Sequence, residues 1–352
     1  MSKFAAGLML SFCTATSWAT GNRFILAEQD LHQAILSYER AIALEPGQAQ
    51  AHHQKAEALK ELQLWAQALA SYDKAIALDA RHVASHLGRA HVLMALKQPD
   101  GALFSLNQAL ALQPQDGTAH HQIGKVFSHM RLWDKAIASY NQAITLQGDA
   151  QALHDRGQAF HALRQWDAAL DSFDKAIALN PKDAFSHLAR GRALWEKKLS
   201  QKALESFDQA IDIKPQFAQA HNERGMVLLQ MQQYGAALNS FSTAVELDPR
   251  FAQAHFNRGR ALKASQQFNE ALHSFEQAIA LAPHMAQAHL EQGGALVASY
   301  KAVVKPADEG QNQRPTDGLP RFGRPMQLAL QPFARSPMPQ KVVCCTPTPL
   351  YD

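Results

Sequence analysis

Cysteine is scarce in this 352-residue chain: Cys13, Cys344 and Cys345 are all there are. An odd count with two of the three adjacent makes neither a disulfide framework nor a zinc site. No run of about 18 apolar residues occurs, so no segment reads as a membrane-spanning helix. The formal net charge is only +3, and that excess sits at one end. Residues 301–352 hold seven Lys/Arg and four Asp/Glu, which leaves 27 of each sign in residues 1–300. A nucleic-acid binder is expected to carry excess positive charge in its folded part, and this body carries none. The signatures His-Glu-x-x-His, Cys-x-x-Cys and Gly-x-x-x-x-Gly-Lys are also missing. Zinc-dependent proteolysis, thiol redox and phosphate-loop chemistry therefore lack their usual short motifs.

What is present is repetition. "FDKAIALNP" at 173–181 returns as "FDQAIDIKP" at 207–215, "FSTAVELDP" at 241–249 and "FEQAIALAP" at 275–283, each step being 34 residues. Pro46, Pro114 and Pro181 share the phase, with one residue deleted between the last two, and Ala80 and Gly148 stand in two proline sites. Twelve residues before each of the eight sites lies an alanine: Ala34, Ala68, Ala102, Ala136, Ala169, Ala203, Ala237 and Ala271. A second alanine lies five before. Between the two sits a large residue: Tyr38, Tyr72, Leu106, Tyr140, Phe173, Phe207, Phe241 and Phe275. Within each copy the apolar and small residues recur at helical spacing. A period of this length suits two ordinary helices and two short turns. Proline disfavours helix in the residue before it and so ends the second helix. Alanine marks where two helices approach closely, and the large residue fills the space beside it. One hairpin buries too little to stand alone, whereas stacked copies share a core.

These residues resemble the tetratricopeptide repeat (TPR): small at position 8, Ala at 20, aromatic at 24, Ala at 27 and Pro at 32 of a 34-residue unit. Position 8 holds Ala56, Ala90, Gly124, Gly157, Gly191, Gly225, Gly259 and Gly293, and Trp65, Trp133, Trp166, Tyr234 and Phe268 fit position 17. The departures are histidine at most positions 4, arginine (Arg89, Arg156, Arg190, Arg224, Arg258) at position 7, and Pro99 and Ser200 at position 17. The resemblance implies an all-α fold, a right-handed α-solenoid of stacked antiparallel helix hairpins. Eight repeats are expected over 15–285, a capping helix over 286–300, and a disordered Pro-rich basic tail over 301–352. Nine of the sixteen prolines fall in that tail. Segment 1–14 has two readings. It is a packing helix, with the protein cytoplasmic, or an export signal ending near Ala19, with the protein exported.

The resemblance also implies function: a non-catalytic scaffold that binds peptide segments of partner proteins in a concave groove, with no cofactor, metal or nucleic acid. Seven histidines recur at position 4, from His52 to His289. Stacked hairpins hold them at least a helix spacing apart, about 8–10 Å, so they cannot share a metal. In the family, positions 2, 5, 9 and 12 of the first helix line the groove. Here this yields the candidates His53, Lys60, His91, His121, Lys125, His154, His161, Phe185, Arg192, Trp195, Asn222, Phe256, Arg260 and Lys263. Cations interleaved with aromatics suit acidic-aromatic peptide segments. Two readings compete with this one. Flanking positions bring Glu61, Asp155, Glu196, Glu223 and Glu291, which cancel the charge, and the next repeat buries Trp195 and Phe256. No lysine occupies position 5, so the carboxylate clamp of chaperone-binding TPRs is absent. The asparagine ladder of the O-GlcNAc transferase superhelix is reduced to Asn257. Two other roles stay open: the substrate-binding arm of such a larger enzyme, and an exported assembly factor.

Close helix approach at the alanines has a direct consequence. Ala203→Leu or Ala237→Leu is expected to lower stability by roughly 1–3 kcal/mol. Gln233→Ala, in a turn, should stay within about 0.5 kcal/mol. Equal losses in thermal melts would show that the packing register is misplaced.

Overall fold

The computed structural model describes residues 28–304; segment 1–14 and the tail beyond 304 lie outside the described residues. All described structure is helix and short turn. Helix α1 covers 28–44. Seven hairpins follow: α2 (Ala49–Glu61) with α3 (Trp65–Leu78), α4 (Val83–Ala95) with α5 (Pro99–Leu112), α6 (Gly117–His129) with α7 (Trp133–Gln147), and α8 (Ala150–Ala162) with α9 (Trp166–Leu179). Then come α10 (Ala184–Glu196) with α11 (Ser200–Ile213), α12 (Ala218–Gln230) with α13 (Tyr234–Leu247), and α14 (Ala252–Ala264) with α15 (Phe268–Leu281). Helix α16 (Ala286–Val304) is the last among the described residues and runs four residues past the expected cap of 286–300. Each second helix packs on the first helix of its own hairpin and on that of the next, so antiparallel hairpins stack in chain order.

The repeat has a physical partition. A 13-residue first helix and a 14-residue second helix are joined by a three-residue turn, as at Leu62–Leu64. The middle turn residue (Gln63, Lys97, Arg131, Arg164, Lys198, Gln232 or Gln266) is left-handed. The amide after it reaches back to close the helix end, as from Leu64 to the Leu59 carbonyl at 2.9 Å. The one shortened copy differs at its other end. Helix α7 runs to 15 residues and stops at Gly148, with φ 62° and ψ 33°. Asp149 at once caps α8 by accepting from the Gln151 amide. A left-handed glycine thus does in two residues what the proline-bearing turn does in four.

The core follows the small residues. Ala68, Ala102, Ala136, Ala169, Ala203, Ala237 and Ala271 are completely buried. The rings of Tyr72, Phe173, Phe207, Phe241 and Phe275 are almost completely buried too. Each of the later rings lies against the glycine of its own first helix. A Cβ added to Gly157, Gly191, Gly225 or Gly259 would stand 2.5–2.7 Å from the ring of Phe173, Phe207, Phe241 or Phe275. Ala288 and Ala295 of α16 join the cluster around Phe275.

Two polar ladders tie neighbouring hairpins together. Arg190 donates to Asp174 of the preceding hairpin at 2.6 Å and to Ser206 of its own at 2.7 Å. Arg89 does the same with Asp73 and Ser105, and Arg224 with Asp208 and Ser240. The unusual arginine at position 7 is therefore a cross-repeat staple. The position-4 histidines form the other ladder. His187, His221, His255 and His289 each donate from Nε2 to the carbonyl of the proline six residues earlier, at 3.0–3.1 Å.

Gly148→Ala is expected to cost about 1–2 kcal/mol, because an L side chain is strained in this backbone region even though nothing crowds the site. Gly47→Ala, also in open space but not left-handed, should change stability by less than about 0.5 kcal/mol. Denaturant melts of the two variants compare them directly.

Candidate functional site

The first helices line the inner side of the stack. α2 and α4 touch directly, as do α6 and α8, α8 and α10, α10 and α12, and α12 and α14; successive second helices make no such approach. Two cavities open on this side, both bordered by positions 9, 12 and 13 of the first helices. One, of about 440 Å³, lies between α4 and α6 and brings together His91, His121 and Lys125 with Met94 and His129. The other, of about 520 Å³, spans α10, α12 and α14 and brings Trp195 and Arg260 together with Met226, Gln230 and Tyr234. Trp195 Nε1 donates to Gln230 Oε1 at 2.6 Å, which fixes the indole across the gap between hairpins.

Four candidates do not face the groove. His53, His154, Asn222 and Phe256 are 8, 5, 3 and 4% exposed. The cause is geometric, since position 5 points at the ring of position 24 and at the next first helix. His53 lies 5.8 Å from Tyr72, His154 5.7 Å from Phe173 and Phe256 6.0 Å from Phe275, between ring centroids. His53 and His154 bond Ser85 and Ser186 of the next hairpin, and Asn222 accepts from Asn257 at 2.9 Å. Phe185 is exposed but stands apart from Trp195. It packs edge-on to Phe217, 5.0 Å away, near Lys214. Ten residues of helix separate the two, about 15 Å. His161 is half-buried against Trp166.

Three of the five cations are already paired. Lys60 bonds Glu57, Arg192 bonds Glu223 at 2.8 Å and Lys263 bonds Glu291 at 2.7 Å. The continuous basic line is thus largely neutralised. Lys125 and Arg260 differ, having no carboxylate within 4.0 Å among the described residues. Arg260 lies over the Phe256 ring at 5.8 Å, and both cations border a cavity. Met226 and Tyr234 gain their roles only through the stacking of hairpins. Among the described residues, no group of three or more His, Cys, Asp or Glu is placed to hold a metal ion. No described helix is long and apolar enough to cross a membrane.

Burial also sets the protonation of several first-helix histidines. It pushes the imidazoles of His53, His91, His154, His161 and His255 below their ordinary value. His161 Nε2 and His255 Nδ1 are buried without a hydrogen-bond partner among the described residues, so a proton there would be an unsatisfied donor. Burial alone would raise the Asp155 carboxyl, but hydrogen bonds from His121 and Gln151 overturn this and hold it below its ordinary value.

Comparison with known proteins agrees with this architecture. A tetratricopeptide repeat model matches residues 53–117, 121–184 and 154–218; a TPR repeat model matches 225–265 and a further tetratricopeptide repeat model 252–285. Together these matches take in well over half of the chain, which belongs to the tetratricopeptide repeat family. No curated protein matches it in sequence. Among solved structures it is similar to the APC/C hetero-tetramer Cut9–Hcn1 (16% identity, TM-score 0.57), covering 76% of this chain and 52% of that one. It is similar to yeast Tom70 (18%, TM-score 0.55), covering 80% and 61%. A tetratricopeptide repeat protein from Parabacteroides merdae ATCC 43184 (16%, TM-score 0.55) is covered over 98% of its length by 70% of this chain. The chain therefore spans about half the length of the Cut9–Hcn1 chain and under two thirds of Tom70. At these identities the likeness concerns the fold alone.

The depressed imidazoles predict acid sensitivity. The unfolded chain takes up protons near the ordinary value of 6.5, whereas the folded imidazoles resist them. Their contribution to stability is complete above about pH 6.5 and is lost as the pH falls. The melting midpoint should drop from pH 7 to pH 5, with Asp155 adding a further loss below its ordinary 3.8. A midpoint that rises on acidification across that range would contradict the burial of these groups.

Proposed function

We propose that the array holds an extended segment of a partner protein along its first-helix face, and that it prefers acidic segments carrying a large apolar side chain. The observation that carries this reading is the pair Lys125 and Arg260, without a carboxylate partner and each at the edge of a cavity. A cation already held by a neighbouring glutamate, as Arg192 is by Glu223, offers a ligand little. An unpaired one beside apolar walls steers an acidic segment and fixes its register. Trp195 and Met226 supply apolar contact next to Arg260, and a fixed, half-buried indole is the usual kind of hot spot.

The test is a peptide array probed with the full chain. Acidic peptides containing Phe, Trp or Leu should be enriched, and binding should weaken as salt rises. Lys125→Glu combined with Arg260→Glu should reverse the charge preference without unfolding the repeats, and Arg192→Glu should do so far less. Trp195→Ala should cost about 2 kcal/mol or more of binding. No acidic enrichment, or a double variant with unchanged ligands, would defeat the acidic-segment reading.

A further inference from the structure

Every other copy of the repeat has Tyr or Phe where the third has Leu106. The structure shows what those rings do. Tyr72 and Tyr140 pass between the helices toward the groove side. The Tyr140 hydroxyl meets Ser128 Oγ at 3.0 Å, and the Tyr72 hydroxyl bonds Glu57; both partners lie on first helices. The Tyr140 ring also requires its glycine, since a Cβ on Gly124 would stand 2.5 Å from it. In the third copy both members have changed together: Ala90 replaces the glycine and Leu106 the ring. The shorter leucine leaves space for the methyl, is wholly buried, and ends below the groove.

Above this pair the groove is open. The cavity between α4 and α6, with Ala90, Leu106 and Val126 at its base, measures about 440 Å³. The corresponding space over Tyr140, between α6 and α8, is about 130 Å³. Met94 forms one wall, and Lys125 stands at the rim. His121, at the same rim, is already committed to Asp155 at 2.8 Å, which leaves the Lys125 ammonium as the cation free to meet a ligand.

We propose that this cavity is a specificity pocket which takes one bulky apolar side chain of the bound peptide, with the carboxylate of an adjacent residue held by Lys125. The proposal rests on the peptide-scaffold reading and adds a register to it. The volume suits an aromatic ring or a long aliphatic chain and falls in the range of ordinary ligand pockets. The missing ring of the third repeat is replaced, in the complex, by one from the partner.

The neighbouring hairpin supplies the test. Ala90→Gly with Leu106→Tyr copies the Gly124/Tyr140 pair and fills the space from below. The probes are 15-residue synthetic peptides in one acidic frame, with Phe, Leu or Ala at the centre followed by Asp. The parent chain is expected to bind the Phe peptide at least tenfold more tightly than the Ala peptide. The double variant should lose that preference, and Arg260→Glu should keep it. Should the double variant melt far below the parent, Ala95→Trp closes the same cavity from its exposed rim and must remove the preference likewise. A folded, cavity-filled variant that still discriminates Phe from Ala overturns the proposal and leaves the scaffold reading intact. Phenylacetate, which carries a ring and a carboxylate, tests the pocket without any peptide. It should shift the methyl resonances of Met94 and Val126 in the parent but not in the filled variant. Binding of phenylacetate with no peptide bound would sink the peptide reading and keep the pocket as a site for an apolar acid. No shift in the parent overturns the pocket.

Discussion

Everything in this stack depends on how closely two helices of a hairpin approach. The distance is set where a glycine of the first helix meets a ring of the second, and where the buried alanines remove side-chain bulk. Interiors are packed too densely to absorb an added methyl group without strain. The fit has two variants here: Ala90 stands with the shorter Leu106, whereas Ala56 stands with Tyr72, whose ring end meets Gly88 of the next first helix. Because each hairpin touches only its neighbours, the fit made once per repeat also sets the angle passed on to the next.

Hydrophobic contact alone leaves neighbouring hairpins some freedom to rotate. The arginine and histidine ladders restrict it. Arg190 reaches Asp174 on one side and Ser206 on the other, so it bonds well in only one arrangement of three helices. The Asp partners are about half exposed, and such pairs contribute little net energy. Their value lies in direction. The histidines act differently, because each satisfies the proline carbonyl in the turn after the preceding second helix, two residues beyond its last helical residue. At His187 and His255 a single N–H meets this need, and the other ring nitrogen is buried without a partner among the described residues.

The fold was legible because it is periodic. Eight copies of one spacing identify hairpins far better than any single helix pattern does. The site was legible only in part, for reasons of rotation. Helical projection alone does not say how far the first helix is turned toward its partner, and a small turn is enough to bury position 5. His53, His154, Asn222 and Phe256 were misplaced on that account. The neutralised cations have a second cause. Glu223 and Glu291 lie 31 and 28 residues from the cations they pair with, so the contact exists only once hairpins stack. His91, Lys125 and Arg260, at position 9, and Trp195, at position 12, border the cavities, whereas His121, at position 5 like the buried residues, reaches one from beside the Tyr140 ring. Gly148 was visible as a missing proline, but its left-handed backbone, which explains the missing residue, was not.

A periodic surface poses a problem for recognition. A groove that repeats every hairpin offers a ligand the same contacts in several registers, which leaves its position undefined. Register requires that the repetition be broken. The breaks here fall on the inner face: the cavity at Leu106, the two cations without a carboxylate, and Trp195 held across a hairpin junction by Gln230. Around them the periodic residues keep their packing roles and the neighbouring charges are paired. The framework therefore tolerates variation at the groove without loss of the stack, provided that changes beneath it keep the core filled. Recognition in such a protein is written in its departures from the repeat, and the departures that leave the core whole are the ones that remain available to a partner.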